Sequence, residues 1–490
     1  MKISLALTSL ILATLLNAES VEEAFEGFDE INTGISEQII QKNLADIDHK
    51  NTSEGQDIIE GSDNNKSNSI GESRENASGF FSDFSGKLTQ EGAIVHDAVR
   101  PQNIFYTLRQ SFFLDYEHAF ENGLKVKINA RAFYDPVFDM SNADYYPAEV
   151  EALRSEVELF EAYFEWNIFE NFDAKWGRQV VVWGRSDTIR ITDVMNPLDN
   201  RRPGIIDIAE LRLPVTMLRF DYQIDAWRIT PIVILEQRFT KDPPYGSRYN
   251  PLSPEESYSE RVEKRLPVYT LENESYSDPT FALSIGADFE GWDVNFYASR
   301  LYEDRGYVPY EQLLPTVLNK KYSHNKNNMF GTALNYVDGS WLFKTELAYF
   351  SGLTYTTTQD RQLIRMDGLI GFEYSGFANT TISYDFAVRH FKEYDKRLYV
   401  PEENLLKQNT YQQALRINSN FLDDTLHANY LLNLYGEKID EGGYHRAWID
   451  YEIEDAINTS FGVLDFMGGS PLFELVKDQV VVFMDISYSF

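Results

Sequence analysis

From Phe80 to Phe490 the chain repeats one pattern, runs of about ten residues in which apolar and polar side chains alternate, and this constrains its fold more than anything else in the sequence. In Leu124–Tyr134, residues Leu124, Val126, Ile128, Ala130, Ala132 and Tyr134 share one face, and Lys125, Lys127, Asn129 and Arg131 share the other. Glu158–Ile168 reads the same way, with Phe160, Ala162, Phe164, Trp166 and Ile168 opposite Glu161, Tyr163, Glu165 and Asn167. Asn379–Phe391 places Ile382, Tyr384, Phe386 and Val388 opposite Ser383, Asp385 and Arg389. Successive side chains of a strand point to opposite faces, so an apolar face backed by a charged one suits a wall between lipid and water.

The connections supply an independent check. Short turns fall at His118–Gly123, Phe169–Phe172, Gln223–Ala226, Glu290–Gly291, Asp338–Ser340, Gly376–Ala378, Leu422–Asp424 and Glu454–Ile457. Longer loops lie between them near 91–103, 135–154, 183–213, 238–279, 303–328, 351–364, 392–407, 436–443 and 467–478. Tight turns on one side and long loops on the other mark an outer-membrane barrel. Eight turns and nine loops join about eighteen strands, and the uncertainty of individual boundaries leaves sixteen open. The last strand, Gln479–Phe490, alternates through Val480, Val482, Met484, Ile486, Tyr488 and Phe490. Its terminal aromatic, with Tyr488, resembles the signal read by the barrel-assembly machinery. The expected fold is all-β: a transmembrane antiparallel β-barrel in the outer membrane of a Gram-negative bacterium, in contact with outer-membrane lipid.

Composition agrees. Tyr, Phe and Trp make up 14% of the 490 residues, and no run after the N-terminus approaches the roughly 18 apolar residues of a spanning helix. Mean hydropathy is only −0.39, because apolar and polar positions average out along a barrel strand. The formal net charge of −33 argues against a nucleic-acid partner, which needs clustered Lys and Arg to neutralise phosphates. Residues 1–18 read as a signal peptide, with Lys2 before an apolar run and a small residue at Ala18. Residues 19–79 form an acidic, Asn- and Ser-rich segment expected to be mostly disordered and periplasmic. Its Phe25 and Phe28 are candidates for docking on a partner, against the plainer reading of a solvated tail.

One stretch breaks the pattern. Residues 183–214 (WGRSDTIRITDVMNPLDNRRPGIIDIAELRLP) show neither strand alternation nor a helical stripe. They carry Arg185, Arg190, Arg201, Arg202 and Arg212 beside Asp187, Asp193, Asp199, Asp207 and Glu210, with eight Ile and Leu residues among them. Such a loop is too apolar to stand in water. The lumen of a barrel this wide is not filled by wall side chains alone. The loop is therefore predicted to fold inward as a plug or constriction built on Trp183, Arg185, Asp187, Arg190, Asp193, Asn196, Asp199, Arg201 and Arg202. Arg178, Glu161 and Glu165 are assigned to the lumen wall, the two glutamates as partners for the loop arginines. Whether those arginines form a structural ion network or select solutes by charge stays open. The stretch 241–254 and the mixed-charge Ser257–Lys264 read as solvated extracellular loop. No hydrolase, zinc-protease or phosphate-loop motif is present, and the His residues lack ligand spacing, so no enzyme, cofactor or metal is expected.

Trp176-Gly177-Arg178, Trp183-Gly184-Arg185-Ser186-Asp187, Asp193-Val194-Met195-Asn196-Pro197-Leu198-Asp199, Arg201-Arg202 and the early Phe25-Glu26-Gly27-Phe28-Asp29 together resemble a family of proteobacterial outer-membrane proteins, the domain-of-unknown-function family thirteen-oh-two. The likeness covers most of 80–490. The resemblance implies an association with inner-membrane exporters of the RND type and a periplasmic carrier similar to lipoprotein-sorting proteins. It thereby implies movement of a lipid-like molecule across the envelope. The expected function is an outer-membrane channel for a hydrophobic or amphiphilic solute. A general diffusion porin and a non-conducting adhesin or structural barrel are the alternatives.

Overall fold

The computed structural model describes residues 83–96, 105–140, 143–268, 270–314, 316–400 and 404–490. The expected signal peptide, the acidic segment 19–79 and its Phe25 and Phe28 lie outside the described residues. The first nine strands are β1 (Phe84–His96), β2 (Gln110–Ala119), β3 (Leu124–Tyr134), β4 (Ser155–Phe169), β5 (Phe172–Gln179), β6 (Val215–Ile224), β7 (Trp227–Ile234), β8 (Thr280–Phe289) and β9 (Trp292–Tyr302). The other nine are β10 (Lys326–Asp338), β11 (Trp341–Leu353), β12 (Leu363–Phe377), β13 (Thr380–Phe391), β14 (Asn409–Phe421), β15 (Leu426–Tyr435), β16 (Gly443–Glu454), β17 (Ile457–Met467) and β18 (Val480–Ser489). A short piece, Phe105–Thr107, continues β2 upward along β1.

Each strand pairs antiparallel with the next, and β18 returns to β1 in continuous register from Lys87↔Ser489 to His96↔Val480. The barrel is closed with 18 strands, which settles the count left open by the sequence. Closure matters because lipid offers backbone amides no partner, so an open sheet edge is not tolerated in the hydrocarbon. Among the described residues no helix is long and apolar enough to cross a membrane. The strands cross instead. Aromatics crowd the outer face beside the short turns, where Phe289 stacks on Trp292 and Trp341 packs on Tyr374. This is the girdle expected at a membrane interface. Closed strands with an apolar outer face are the build by which a barrel crosses a bilayer, as the outer-membrane expectation requires.

All eight short turns lie where the alternation ended. Two sequence expectations change. Phe160 does not share the outer face with Ala162, Phe164 and Trp166, because a bulge opposite Asn129 shifts the β3–β4 register from Ile128↔Ala162 to Ala130↔Leu159. One extra residue reverses the faces. Val157 and Leu159 turn outward, and Phe160 is buried inside under the guanidinium of Arg131, 3.5 Å from its ring centroid. The second change concerns the loop 235–279, which is not simply solvated. Ser247 and Tyr249 are buried, Tyr249 packs on Tyr106 at 4.4 Å, and Arg248 donates to the carbonyl of Phe105 at 2.7 Å. Ser257 caps a helix, Tyr258–Glu263, through a reciprocal capping box with Glu260.

Gly177 on β5 has φ +130°, and a Cβ there would lie 2.2 Å from the Ala162 carbonyl oxygen and 2.6 Å from Tyr163 Cα. No side chain fits between β4 and β5 at this point, and the conformation itself costs a non-glycine residue about 1–3 kcal/mol. Gly339, in the β10–β11 turn, also has positive φ, but a Cβ would meet nothing within 4 Å. Gly177→Ala is expected to lose most of the compact, heat-modifiable form on unboiled gels, while Gly339→Ala keeps it. Equal mobility of the two variants would refute the close β4–β5 approach.

Candidate functional site

The inward segment begins at Val180, earlier than the Trp183 expected from the sequence. The run Val180–Val182 is strand-like in composition, yet β5 stops at Gln179. Its backbone takes side-chain acceptors in place of a ladder: Val181 N donates to Asn196 Oδ1 at 2.8 Å and Trp183 N to Asp193 Oδ1 at 3.2 Å. Asn196 Nδ2 also donates to the carbonyls of Gln179 (3.3 Å) and Leu213 (2.8 Å). One amide side chain thus ties the entry of the loop to its exit.

The descending limb packs on an apolar wall. Val181, Trp183, Ile189, Ile191 and Met195 form one buried cluster with inward residues of β6–β14, among them Met217, Ile232, Met329, Phe350 and Leu369. The Trp183 ring stacks on Tyr297 with centroids 4.6 Å apart. Each such side chain contributes about 1.5–3 kcal/mol by leaving water.

At its tip the limb is clasped by wall carboxylates. Glu346 on β11, 1% exposed, accepts from the backbone N–H of Arg185 (2.6 Å), Ser186 (3.1 Å) and Thr192 (3.0 Å), and from the Thr192 hydroxyl (2.7 Å). Converging backbone N–H groups of this kind make an anion nest, here filled by the barrel's own carboxylate. Asp385 on β13 accepts from Ser186 Oγ (2.6 Å) and Thr188 Oγ1 (3.0 Å). Arg185 pairs with Asp293 on β9.

The returning limb is held by charge. Arg201 bonds Glu156 on β4 at 2.6 Å and Asp199 at 2.5 Å, and Arg202 pairs with Glu91 on β1. Asp207 is shared by Arg416 on β14 (2.8 Å) and Arg446 on β16. Burial works to raise the carboxyls of Asp199 and Asp207, but their arginines outweigh it and hold both below the usual carboxylate range. Arg190 and Arg212 both converge on Asp193, at 3.1 and 2.9 Å. Asp187 differs from the rest: its side chain is 75% exposed and pairs loosely with Lys344 at 3.8 Å.

Eight of the nine predicted loop residues therefore form one pinned unit across the lumen. The wall residues need correction. Arg178 does not face the lumen; it shares the outer face with Trp176, paired with Glu236 and donating to the Leu159 carbonyl at 2.8 Å, because Gly177 between them takes the inward position. Glu161 faces inward but takes Asn129 Nδ2 and Val180 N, and Glu165 pairs with Lys175 at 3.7 Å. Neither meets a loop arginine. Glu91, Glu156 and Asp293 do, and these, with Glu346 and Asp385, were missed. The alternation marks them as inward-facing, but nothing local tells which of many inward carboxylates lies at the loop's depth.

The model of a family described as Protein of unknown function (DUF1302) matches residues 8–490. The chain belongs to that family. The family motifs now have physical roles: the two Trp-Gly-Arg triplets place glycines at the β4–β5 contact and, at Gly184 (φ +95°), at the turn above Glu346. The curated proteins contain no significant match. Among solved structures the chain is similar to Acinetobacter baumannii OccAB3 (11% identity, TM-score 0.47, covering 84% of this chain and 99% of that one). It is also similar to Pseudomonas aeruginosa OpdK, solved with vanillate (9%, 0.47, 84% and 100%), and to a loop-deleted Vibrio cholerae OmpT, an outer membrane protein (10%, 0.40, 83% and 98%). The fold itself is a closed antiparallel β-barrel of 18 strands.

Removing the clasp tests the site. Glu346→Ala strips the acceptor from three buried N–H groups, each worth about 1–3 kcal/mol when left unmade. Flickering openings are expected in planar-bilayer recordings, fewer in Glu346→Gln, whose amide oxygen still accepts, and none beyond wild type in Asp187→Asn. Traces from Glu346→Ala that match wild type would mean the carboxylate does not hold the loop.

Proposed function

We propose that the protein is an outer-membrane conduit for an amphiphilic, lipid-like solute, with residues 180–214 as its closed gate, and that it is not an enzyme. The apolar inner wall carries this reading. Porin channels are lined by polar side chains because they hold water. Here the inner faces of β6–β14 present Met217, Ile232, Met329, Phe350 and Leu369 under the descending limb. A gate that lifts from this wall uncovers an apolar track beside the arginines and carboxylates that had held the returning limb. Such a lining suits a molecule with a hydrocarbon body and a polar head better than small hydrophilic solutes, and it disfavours a general diffusion porin. A purely structural barrel or adhesin has no use for a lumen with clasps at two depths.

The partner assignment rests on the family resemblance. An inner-membrane exporter of the RND type and a periplasmic carrier would deliver or receive the solute at the side of the short turns. The tail with Phe25 and Phe28 is the proposed contact, and the barrel-assembly machinery is proposed to read Tyr488 and Phe490.

Deleting residues 186–210 from the purified barrel is expected to convert a mostly closed trace into steady conductance. The same deletion should raise transfer of a fluorescent lysolipid between donor and acceptor vesicles. Conductance and transfer both unchanged would show that the loop is not the gate. A wild-type channel already wide open to small hydrophilic solutes would favour the diffusion-porin alternative.

A further inference from the structure

The barrel wall is not laddered to its full height. β4 pairs with β3 up to Tyr134↔Ser155, but on its other side the β4–β5 register stops at Ala162↔Arg178. Above that level Ser155–Glu161 has no strand on the β5 side among the described residues. The chain facing this edge is the segment around Leu213–Pro214 and 236–241, and side chains make the contacts that bridge the seam. Arg178 reaches the Leu159 carbonyl at 2.8 Å and pairs with Glu236. Arg238 pairs with Glu158 and donates to the Pro214 carbonyl at 2.7 Å. Lys241 and Arg201 both hold Glu156 at 2.6 Å.

The two sides of the seam differ in chemistry. Outside, Val157 is 84% exposed and Leu159 51%, an aliphatic lip on the outer face. Inside lie three cations, Arg201, Arg238 and Lys241, with Glu156 and Glu158 between them. Opening a strand pair means unzipping a ladder in hydrocarbon. Opening this seam breaks no ladder: it exchanges side-chain ion pairs for pairs with an incoming anion, so the cations keep a partner throughout.

We propose that this seam is a side portal through which an amphiphile with an anionic head moves between the lumen and the outer leaflet. The head displaces Glu156 and Glu158 from Arg201, Arg238 and Lys241, while the hydrocarbon tail passes over Leu159 and Val157 into lipid. The bulge at Phe160–Glu161 serves the portal by turning the two aliphatic residues outward and the two glutamates inward. The proposal rests on the amphiphile reading above and adds a route to it.

The chain has no cysteine, so a pair can be introduced cleanly. Glu158→Cys/Arg238→Cys, bridged by a reducible bis-maleimide, locks the seam, and Arg178→Cys/Glu236→Cys locks it from outside should the first pair disturb folding. Heat-modifiable mobility checks each barrel. The readout is movement of a fluorescent anionic lysolipid into the bilayer through reconstituted protein carrying Glu346→Ala, which releases the gate and leaves the seam residues in place. Transfer that falls to background on cross-linking and returns on reduction supports the portal. Transfer unaffected by either cross-link overturns the portal and leaves the conduit intact. No transfer in that gate-released background overturns the amphiphile reading, and the portal with it.

Discussion

Lipid gives a backbone no hydrogen-bond partners, so the sheet must close, and a closed sheet of this many strands encloses more space than its side chains fill. The rest of the chain's architecture follows from that space. Strands β6–β14 spend inward positions on Met, Ile, Leu and Phe, which is unsustainable in an aqueous lumen unless something covers them. The descending limb is that cover. Its five large apolar residues and the wall belong to one core, so loop and barrel are each incomplete alone.

The two limbs are held by different physics. The descending limb combines apolar contact with backbone N–H groups aimed at Glu346, an arrangement that tolerates little displacement because the acceptor is buried. The returning limb relies on Arg201, Arg202 and Asp207, whose partners sit on β4, β1, β14 and β16. Buried ion pairs are weak evidence of net stability, yet breaking one side of such a pair is costly. The arginines the sequence left between structure and selection are paired with carboxylates. Asp187 keeps its charge largely in the open.

Much of this was legible in the sequence because period-two alternation and turn chemistry are local. Asp225, with φ of +51°, sits in a turn that polar residues already marked, whereas Asn379, read as the first residue of a strand, lies in the turn itself at φ +55°. The plug was legible because apolar and charged residues without a period cannot stand in water. What escaped was non-local. The bulge at Phe160 leaves no composition signal, since Phe160 and Leu159 are both apolar and either could face lipid. Arg178 looked like a lumen residue because charges on strands usually face inward, but Gly177 occupies the inward slot beside it. The partners Glu91, Glu156 and Asp293 lie roughly a hundred residues from their arginines or on separate strands, and only the closed register brings them to one depth.

The Asn196 amide has a bearing on how such a chain can change over time. By bonding Gln179, Val181 and Leu213 it fastens the neck of the loop independently of its body. Residues beyond that neck can be lengthened, shortened or recoded without splaying β5 from β6. A lineage carrying this asparagine can vary the exposed parts of the insert freely, while the limb that covers the apolar wall can change only together with that wall.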